Sequence, residues 1–287
     1  MSLSHPYPRF ELGPELTAEQ QAFFDEHGFL HFKRFIDAAT VAELVAASQE
    51  VERDWLARGV EQVNGIPIKY GRDVDGRPIV QRFAFANQYH PRLAAFLQDP
   101  RFAVLFPLIG LPDARMGADE KDGLVLNHYV HSAGSGHSRL GWHTDGLRDL
   151  FLGKRQLHPM LNVGVHLNNL GPEHGGLRLI PGTHKQGVLK MVFGKRYFLD
   201  HAPDHREVAV IPEAGDLTVH DGRLWHRVQQ SSVSGEASRR RVFYVPVVAG
   251  AYEPKSAASP TPFYHRLANA LGWNPKPGKL LSATQAR

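Results

Sequence analysis

"GWHTDG", residues 141–146, decides how this chain is read. In a strand, residues two apart share a face, so His143 and Asp145 would aim at one point. The plainer reading is a turn, with the Asp145 carboxylate bonding local backbone ahead of Gly146. A third ligand separates the two, and "GDLTVHDGRLWHRV" supplies a candidate, His226, at the end of another β-type segment. Two imidazoles and one carboxylate on one face leave three positions of an octahedron open. That is the donor set of non-haem Fe(II) oxygenases, which need room for O2 and a bidentate co-substrate. The chain carries 17 His, so an H-x-D pair with a distant His is a weak signal until its surroundings are read.

Those surroundings begin with Arg239, Arg240 and Arg241, which open the segment "VFYVPVV" beyond His226. A guanidinium is a planar fork that holds a carboxylate through two parallel bonds. On the strand after the one delivering His226, it would clamp the far carboxylate of 2-oxoglutarate while the keto-acid end chelates iron. Period two gives Arg240 the face of Val242 and Tyr244, and puts Arg239 and Arg241 on the other. Arg240 is the choice by its offset from His226, with Arg241 as the alternative. At least one of the three is expected to be a solvated strand end.

Further out, the texture divides the chain. Thr17-Ala-Glu-Gln20 has the capping-box form, which predicts a helix over about 18–27 ending at Gly28. "FLHFKRFI" reads as a short strand. A second helix is expected from about Thr40 to Arg58, with Val41, Leu44, Val45, Val51, Trp55 and Leu56 roughly on one stripe. "IPIKY" and "PIVQRFAFA" are extended segments, and a third helical stretch covers about 91–109 with a break near Pro100. After Gly110 come short alternating segments at 124–130, 161–167, 176–182, 207–212, 216–221 and 240–248, punctuated by Gly, Pro and Asn. Such spacing is that of a sandwich or barrel. The reading is one domain over 1–287: a helical part about 15–110, a β core about 120–250, and a loop-rich tail from 250 to 287.

Composition narrows the function. With 287 residues, 42% hydrophobic and 22% charged, this is ordinary globular material able to bury a core. The net charge of +4 is a mild excess with both signs interspersed, not a nucleic-acid footprint. No apolar run reaches the ~20 residues that span a bilayer, and the start of the chain lacks the apolar core of a signal peptide. The absence of Cys removes disulfides, thiolate nucleophiles and Cys-ligated metals. Cytoplasmic location and no membrane association are the expectations, and oligomeric state leaves no mark on the sequence. A hydrolase lacks support, since there is neither a G-x-S-x-G elbow nor a Cys nucleophile.

Between the candidate ligands lies "LNVGVHLNNLGPEHGGLRLIPGTHKQG", two alternating segments around a Gly-rich turn. Together with "LTAEQQAFFDEHGFLHFKRFID", "WHTDG" and "AGDLTVHDGRLWHRV" followed by the arginines, it forms an ordered set covering most of residues 15–250. In that set the chain resembles the phytanoyl-CoA dioxygenase family of Fe(II)/2-oxoglutarate-dependent oxygenases. The resemblance implies a mainly β fold with flanking α-helices and a double-stranded β-helix (jelly-roll, cupin-like) core. It implies iron at the mouth on the matching His143, Asp145 and His226, with Arg240 anchoring 2-oxoglutarate. A polar residue on an early core strand often assists the co-substrate, and Asn127 and Asn162 are the candidates. The family also holds halogenases, in which a small residue replaces the carboxylate. Asp145 is present here, which favours hydroxylation or a related oxidation with O2.

Other residues carry two readings. Trp142 and Trp225 each precede a ligand, where packing that fixes ligand orientation outweighs substrate contact. His166 shares a face with Asn162 and Gly164, so it either lines the pocket or is an ordinary hydrogen-bonded histidine. His220-Asp221 lacks the i,i+2 spacing and reads as structural. His128, His131, His137, His174 and His184 carry no signal. Gly175, Gly176 and Gly182 suit turns with positive φ. Substrate choice should come from loops at the mouth: "LRDLFLGKRQLHPM" (147–160) and "VLKMVFGKRYFLDHAPDHRE" (188–207). Their Lys154, Arg155, Lys195 and Arg196 either close over a small-molecule substrate with an anionic group or stay in water. Two rivals share the fold, a cupin-like metalloenzyme independent of 2-oxoglutarate and a non-catalytic ligand-binding protein. The late-strand arginine argues against the first and the complete triad against the second.

Overall fold

The computed structural model describes residues 7–132, 135, 137–146 and 158–262. Helix α1 (Ala18–His27) starts as the capping box predicts: Gln20 N donates to Thr17 Oγ1 at 3.2 Å, and Thr17 N to Gln20 Oε1 at 3.0 Å. It stops at Gly28, whose φ of 81° places it in the left-handed region. Helix α2 (Ala38–Arg58) begins two residues before the expected Thr40, because the Asp37 carboxylate accepts from Thr40 N at 2.8 Å and serves as its N-cap. Leu44, Ala47, Ser48, Val51 and Trp55 form its buried stripe, with Val41, Val45 and Leu56 at the edges. The third helical stretch is split where Pro100 stands: α3 (Pro91–Phe96), then a 3-10 segment over Pro100–Ile109.

In chain order the strands are β1 (Phe29–Phe32), β2 (Gln62–Val63), β3 (Ile66–Pro67), β4 (Lys69–Arg72), β5 (Pro78–Arg82), β6 (Arg115–Met116) and β7 (Val125–His131). They continue as β8 (Leu140–His143), β9 (Met160–His166), β10 (Gly176–Leu179), β11 (Val208–Ala209), β12 (Leu217–Asp221), β13 (His226–Gln229) and β14 (Gly235–Val248). Among the described residues the large sheet runs β1-β12-β9-β14-β7-β5-β4, with β6 on an end of β14. The small sheet runs β11-β10-β13-β8, and the strands in both pair antiparallel. This is a mainly β, double-stranded β-helix core with helices against it.

Alternation along β14 explains the layering. Phe243, Val245 and Val247 point to one side, into a core built with Trp55 of α2, Phe96 of α3 and Phe102. Val242 and Tyr244 point to the other, where they meet Tyr129 of β7, Val228 of β13 and Leu140 of β8. One face of the large sheet is therefore buried by helices and the other by the small sheet. The site lies in this second, thinner layer.

The extended segments expected before residue 110 are strands: "IPIKY" and "PIVQR" supply β3, β4 and β5, and the last two extend the large sheet beyond β7. One expectation needs correction: the "GWHTDG" strand ends at His143, and Asp145 and Gly146 are helical, so Asp145 does not arrive by the period of two. Gly175, Gly176 and Gly182 all have positive φ, as their turns require. The loop at 147–157, with Lys154 and Arg155, and the tail after 262 lie outside the described residues. Among those described, no helix is long and apolar enough to cross a membrane.

Candidate functional site

The register of the small sheet creates the site. His143 at the end of β8 lies directly opposite His226 at the start of β13, and their ring centroids are 4.0 Å apart. Gly141 is required just before, since a Cβ there would stand 2.3 Å from the Phe198 carbonyl. The closeness lets residues 197–200 bond to β8, with Trp142 N donating to Asp200 O at 2.8 Å and Phe198 N to Trp142 O at 2.8 Å. Beyond Thr144 the chain turns helical at Asp145, whose Oδ2 comes to 3.4 Å from His226 Nε2. One donor atom from each of His143, Asp145 and His226 lies within 4.8 Å of the others.

The protonation pattern fits a cation. His143 Nδ1 donates to Gly141 O at 2.8 Å and His226 Nδ1 to Leu224 O at 2.9 Å. A carbonyl can only accept, so each Nδ1 carries the proton and each Nε2 is left with a lone pair. Burial, the largest influence on Asp145, would raise its pKa; His226, His143, Lys121 and His220 together outweigh it and hold the carboxyl well below the usual carboxylate range. Asn162 of β9 donates to Asp145 Oδ2 and fixes the carboxylate from behind. The Nε2 atoms of two imidazoles and one carboxylate suit Fe(II), and nothing in the donor set conflicts with it.

The three ligands line one pocket between the sheets, with a cavity volume of about 190 Å³. Asn127, Asn162, Tyr129 and Tyr244 line it from the large sheet, Leu177 and Val228 from the small one, and Phe198 closes over it with its ring stacked on His143 at 4.7 Å. Lys69, Arg82 and Lys121 add positive charge.

Arg240 is not part of the pocket lining but lies against it, with its guanidinium 4.9 Å from the ring centroid of Tyr129, which lines the pocket. Only 4% of it is exposed, Nη2 donates to Ser138 O at 3.3 Å, and Nε has no partner. Burial above all pushes its pKa down to about 10, which still leaves it charged at neutral pH. No carboxylate among the described residues lies within ion-pair reach. Arg241 faces the opposite way with Arg239, and its backbone N donates to Asn168 Oδ1 at 2.7 Å. The expected solvated strand end is not found: Arg239 and Arg240 are buried and Arg241 is half-buried.

The two Asn candidates part company. Asn162 is engaged by Asp145, whereas Asn127 lines the pocket with its Oδ1 buried and without a partner. Trp142 and Trp225 pack with Ile180 and Tyr197 behind the ligands, consistent with a packing role. His166 bonds Thr218 Oγ1 at 3.0 Å and is absent from the pocket lining. Asp221 pairs with Arg223, as a structural residue would. His220 instead lines the pocket, with its ring 4.7 Å from His226 and Nε2 at 3.4 Å from Asn162 Nδ2. His137 also lines it and stacks on Tyr129 at 4.9 Å. Period two along "VLNHYVH" and "RRVFYVP" points to Tyr129 and Tyr244 as companions of Asn127 and Arg240; no comparable signal marks Lys69, Arg82 or His137. In the 188–207 segment, which begins with helix α4 (Val188–Phe193), Lys195 is bound to Asp204 at 3.0 Å over the Trp142 ring and Arg196 is exposed.

Comparison with known proteins agrees with this geometry. No curated protein sequence matches the chain. Among solved structures it is similar to the non-haem alpha ketoglutarate dependent carbocyclase SnoK from nogalamycin biosynthesis, at 21% identity and TM-score 0.62, covering 88% of this chain and 91% of that one. It is similar to the epimerase SnoN in complex with Fe3+, alpha ketoglutarate and nogalamycin RO, at 20% identity and TM-score 0.55, covering 82% and 84%. HygX from Streptomyces hygroscopicus with iron bound superposes with TM-score 0.57 at 17% identity, covering 82% and 87%. The sequence model described as phytanoyl-CoA dioxygenase (PhyH) matches residues 24–240. With its ligand triad, its jelly-roll core and this match over most of its length, the chain belongs to the phytanoyl-CoA dioxygenase family.

Proposed function

We propose that the protein is a mononuclear Fe(II), 2-oxoglutarate-dependent oxygenase that hydroxylates an unactivated C–H bond of a small organic or acyl substrate. The observation that carries this reading is the convergence of His143, Asp145 and His226 within 4.8 Å in one pocket, with a buried arginine against its Tyr129 wall that has no acid partner among the described residues. Bound there with 2-oxoglutarate, Fe(II) supplies the activation of O2 that couples decarboxylation of the co-substrate, to succinate and CO2, to oxidation of the substrate.

The chain's own residues do the rest. His143 and His226 present Nε2, held in that tautomer by the carbonyls of Gly141 and Leu224. Asp145 supplies the negative ligand, and Asn162 keeps its carboxylate from rotating. Arg240 takes the far carboxylate of 2-oxoglutarate, and Asn127 offers its amide beside the co-substrate. Phe198, stacked on His143, and Tyr197, whose hydroxyl donates to Thr144 O, exclude water from one side.

The test is conversion of 2-oxoglutarate to succinate by the purified protein, dependent on Fe(II) and O2 and lost in His226→Ala. Turnover independent of 2-oxoglutarate would favour the cupin-like metalloenzyme instead. For any substrate that couples, one oxygen atom from 18O2 in the product supports hydroxylation. A product that lacks the label overturns that outcome in favour of ring closure or epimerisation.

A further inference from the structure

We propose that Lys69 and Arg82 bind an anionic group of the substrate, a carboxylate or a phosphate, at the end of the pocket formed by β4 and β5. The inference rests on the oxygenase reading above and adds the chemical class of the molecule to be oxidised.

Lys69 and Arg82 stand directly opposite each other across β4 and β5, at a point where the register shifts as in a β-bulge. Like charges directly opposite in a sheet are destabilising, and bulges often re-aim side chains near functional sites. Both line the same pocket as His143, Asp145 and His226. The surrounding protein supplies a carboxylate to only one of them. Arg82 Nη2 reaches Asp122 Oδ2 at 2.6 Å, but its buried Nη1 has no partner, and the other oxygen of Asp122 lies 3.9 Å from Lys255. Lys69 has no carboxylate within ion-pair reach among the described residues. Burial first, then Arg82, pushes its pKa down to about 8, so it remains mostly charged at neutral pH. His137, beside them, is kept neutral by burial and by Lys69, Arg82 and Arg240, and its Nε2 also lacks a partner.

The co-substrate does not supply the missing charge. One of its carboxylates goes to the metal and the other to Arg240, which lies against Tyr129. Positive charge then remains at the β4–β5 end, in surroundings where an unpaired charge is costly. A substrate anion relieves that cost and orients the rest of the molecule toward the metal. The basic residues expected to do this from the 188–207 segment are otherwise engaged or exposed, since Lys195 is held by Asp204.

Calorimetric titration of the protein loaded anaerobically with Fe(II) and 2-oxoglutarate tests the site. The probes are acetate, inorganic phosphate, and the matched pair phenylacetate and phenylacetamide. We expect saturable binding of an anion, with the acid at least ~10-fold tighter than its amide. The preference should disappear in Lys69→Met and persist in Lys69→Arg, both with unaltered melting temperature. Whether acetate or phosphate binds more tightly identifies the anion. Absence of saturable binding by every anion, equal affinity of acid and amide, or a preference that survives Lys69→Met would each overturn the proposal. So would a Lys69→Met variant that loses 2-oxoglutarate, read from the visible absorption of its metal chelate, and keeps the acid. A wild-type protein that forms no such chelate refutes the oxygenase reading, while the acid–amide comparison with Lys69→Met still decides the anion site.

Discussion

Arg239 and Arg240 are neighbours on β14, both buried, and they have opposite fates. Arg239 faces the helices, where Asp73 Oδ1 accepts at 2.5 Å, Glu236 takes two of its nitrogens, and His128 Nε2 lies at 2.6 Å. The hydrogen bond to Glu236 is the main reason its pKa is raised. Arg240 faces the small sheet and has one carbonyl, a tyrosine ring and an unpaired Nε. The chain thus neutralises a guanidinium internally where charge serves the fold and leaves open the one that, on the proposed reading, binds 2-oxoglutarate. Burial alone does not tell them apart; the presence or absence of an acid does.

Several substitutions would break or sharpen this contrast. Asp145→Ala should have the largest effect, abolishing iron binding and turnover without unfolding, a loss beyond the ~100-fold typical of residues that only support a ligand. Next, Arg239→Leu should cost about 3 kcal/mol of stability in urea denaturation, because it strands the buried Asp73. Its 2-oxoglutarate affinity should stay within about twofold of wild type. Arg240→Leu should do the reverse, weakening 2-oxoglutarate about 100-fold, ~2.7 kcal/mol, with no fall in the urea midpoint. If both variants lose stability and keep affinity, the contrast is wrong. Asn162→Ala should lower iron affinity about tenfold by freeing the Asp145 carboxylate, which equilibrium dialysis with Fe(II) would detect.

The smallest effect concerns pH. Burial pushes His166 down to about 3 and His128 well below the ordinary histidine value. In the unfolded chain they titrate near ~6.5. The unfolded state therefore binds more protons below that pH, and stability falls as pH drops from about 6.5 towards 3, by at most about 1.4 kcal/mol per pH unit for each residue. Urea midpoints at pH 7 and pH 5 should differ less in His166→Gln than in wild type. Identical differences would show that His166 is not buried in neutral form.

Much of the site was legible because local patterns carried it. The capping box and the alternating segments each obey a short-range rule, and each stands where that rule predicts. The pattern points to Asp145 for an imperfect reason, since the strand stops at His143 and Asp145 is already helical. The pocket's far end was not legible. Lys69 and Arg82 lie on strands that join the sheet beyond β7, a long-range pairing with no signature in the residues themselves. His220 was set aside for lacking the i,i+2 spacing, yet alternation on β12 opposite Asn162 of β9 is what brings it into the pocket. Spacing along the chain finds ligands on one strand, whereas register across strands decides what surrounds them.

The most direct measurement is an anaerobic titration of the purified protein with Fe(II) and then 2-oxoglutarate, following the weak visible charge-transfer absorption of the chelate. A band that saturates in the wild type, vanishes in Asp145→Ala, weakens in Arg240→Leu and is unchanged in Arg239→Leu is the predicted result. Iron binding without a band, or a band indifferent to Arg240, would contradict it.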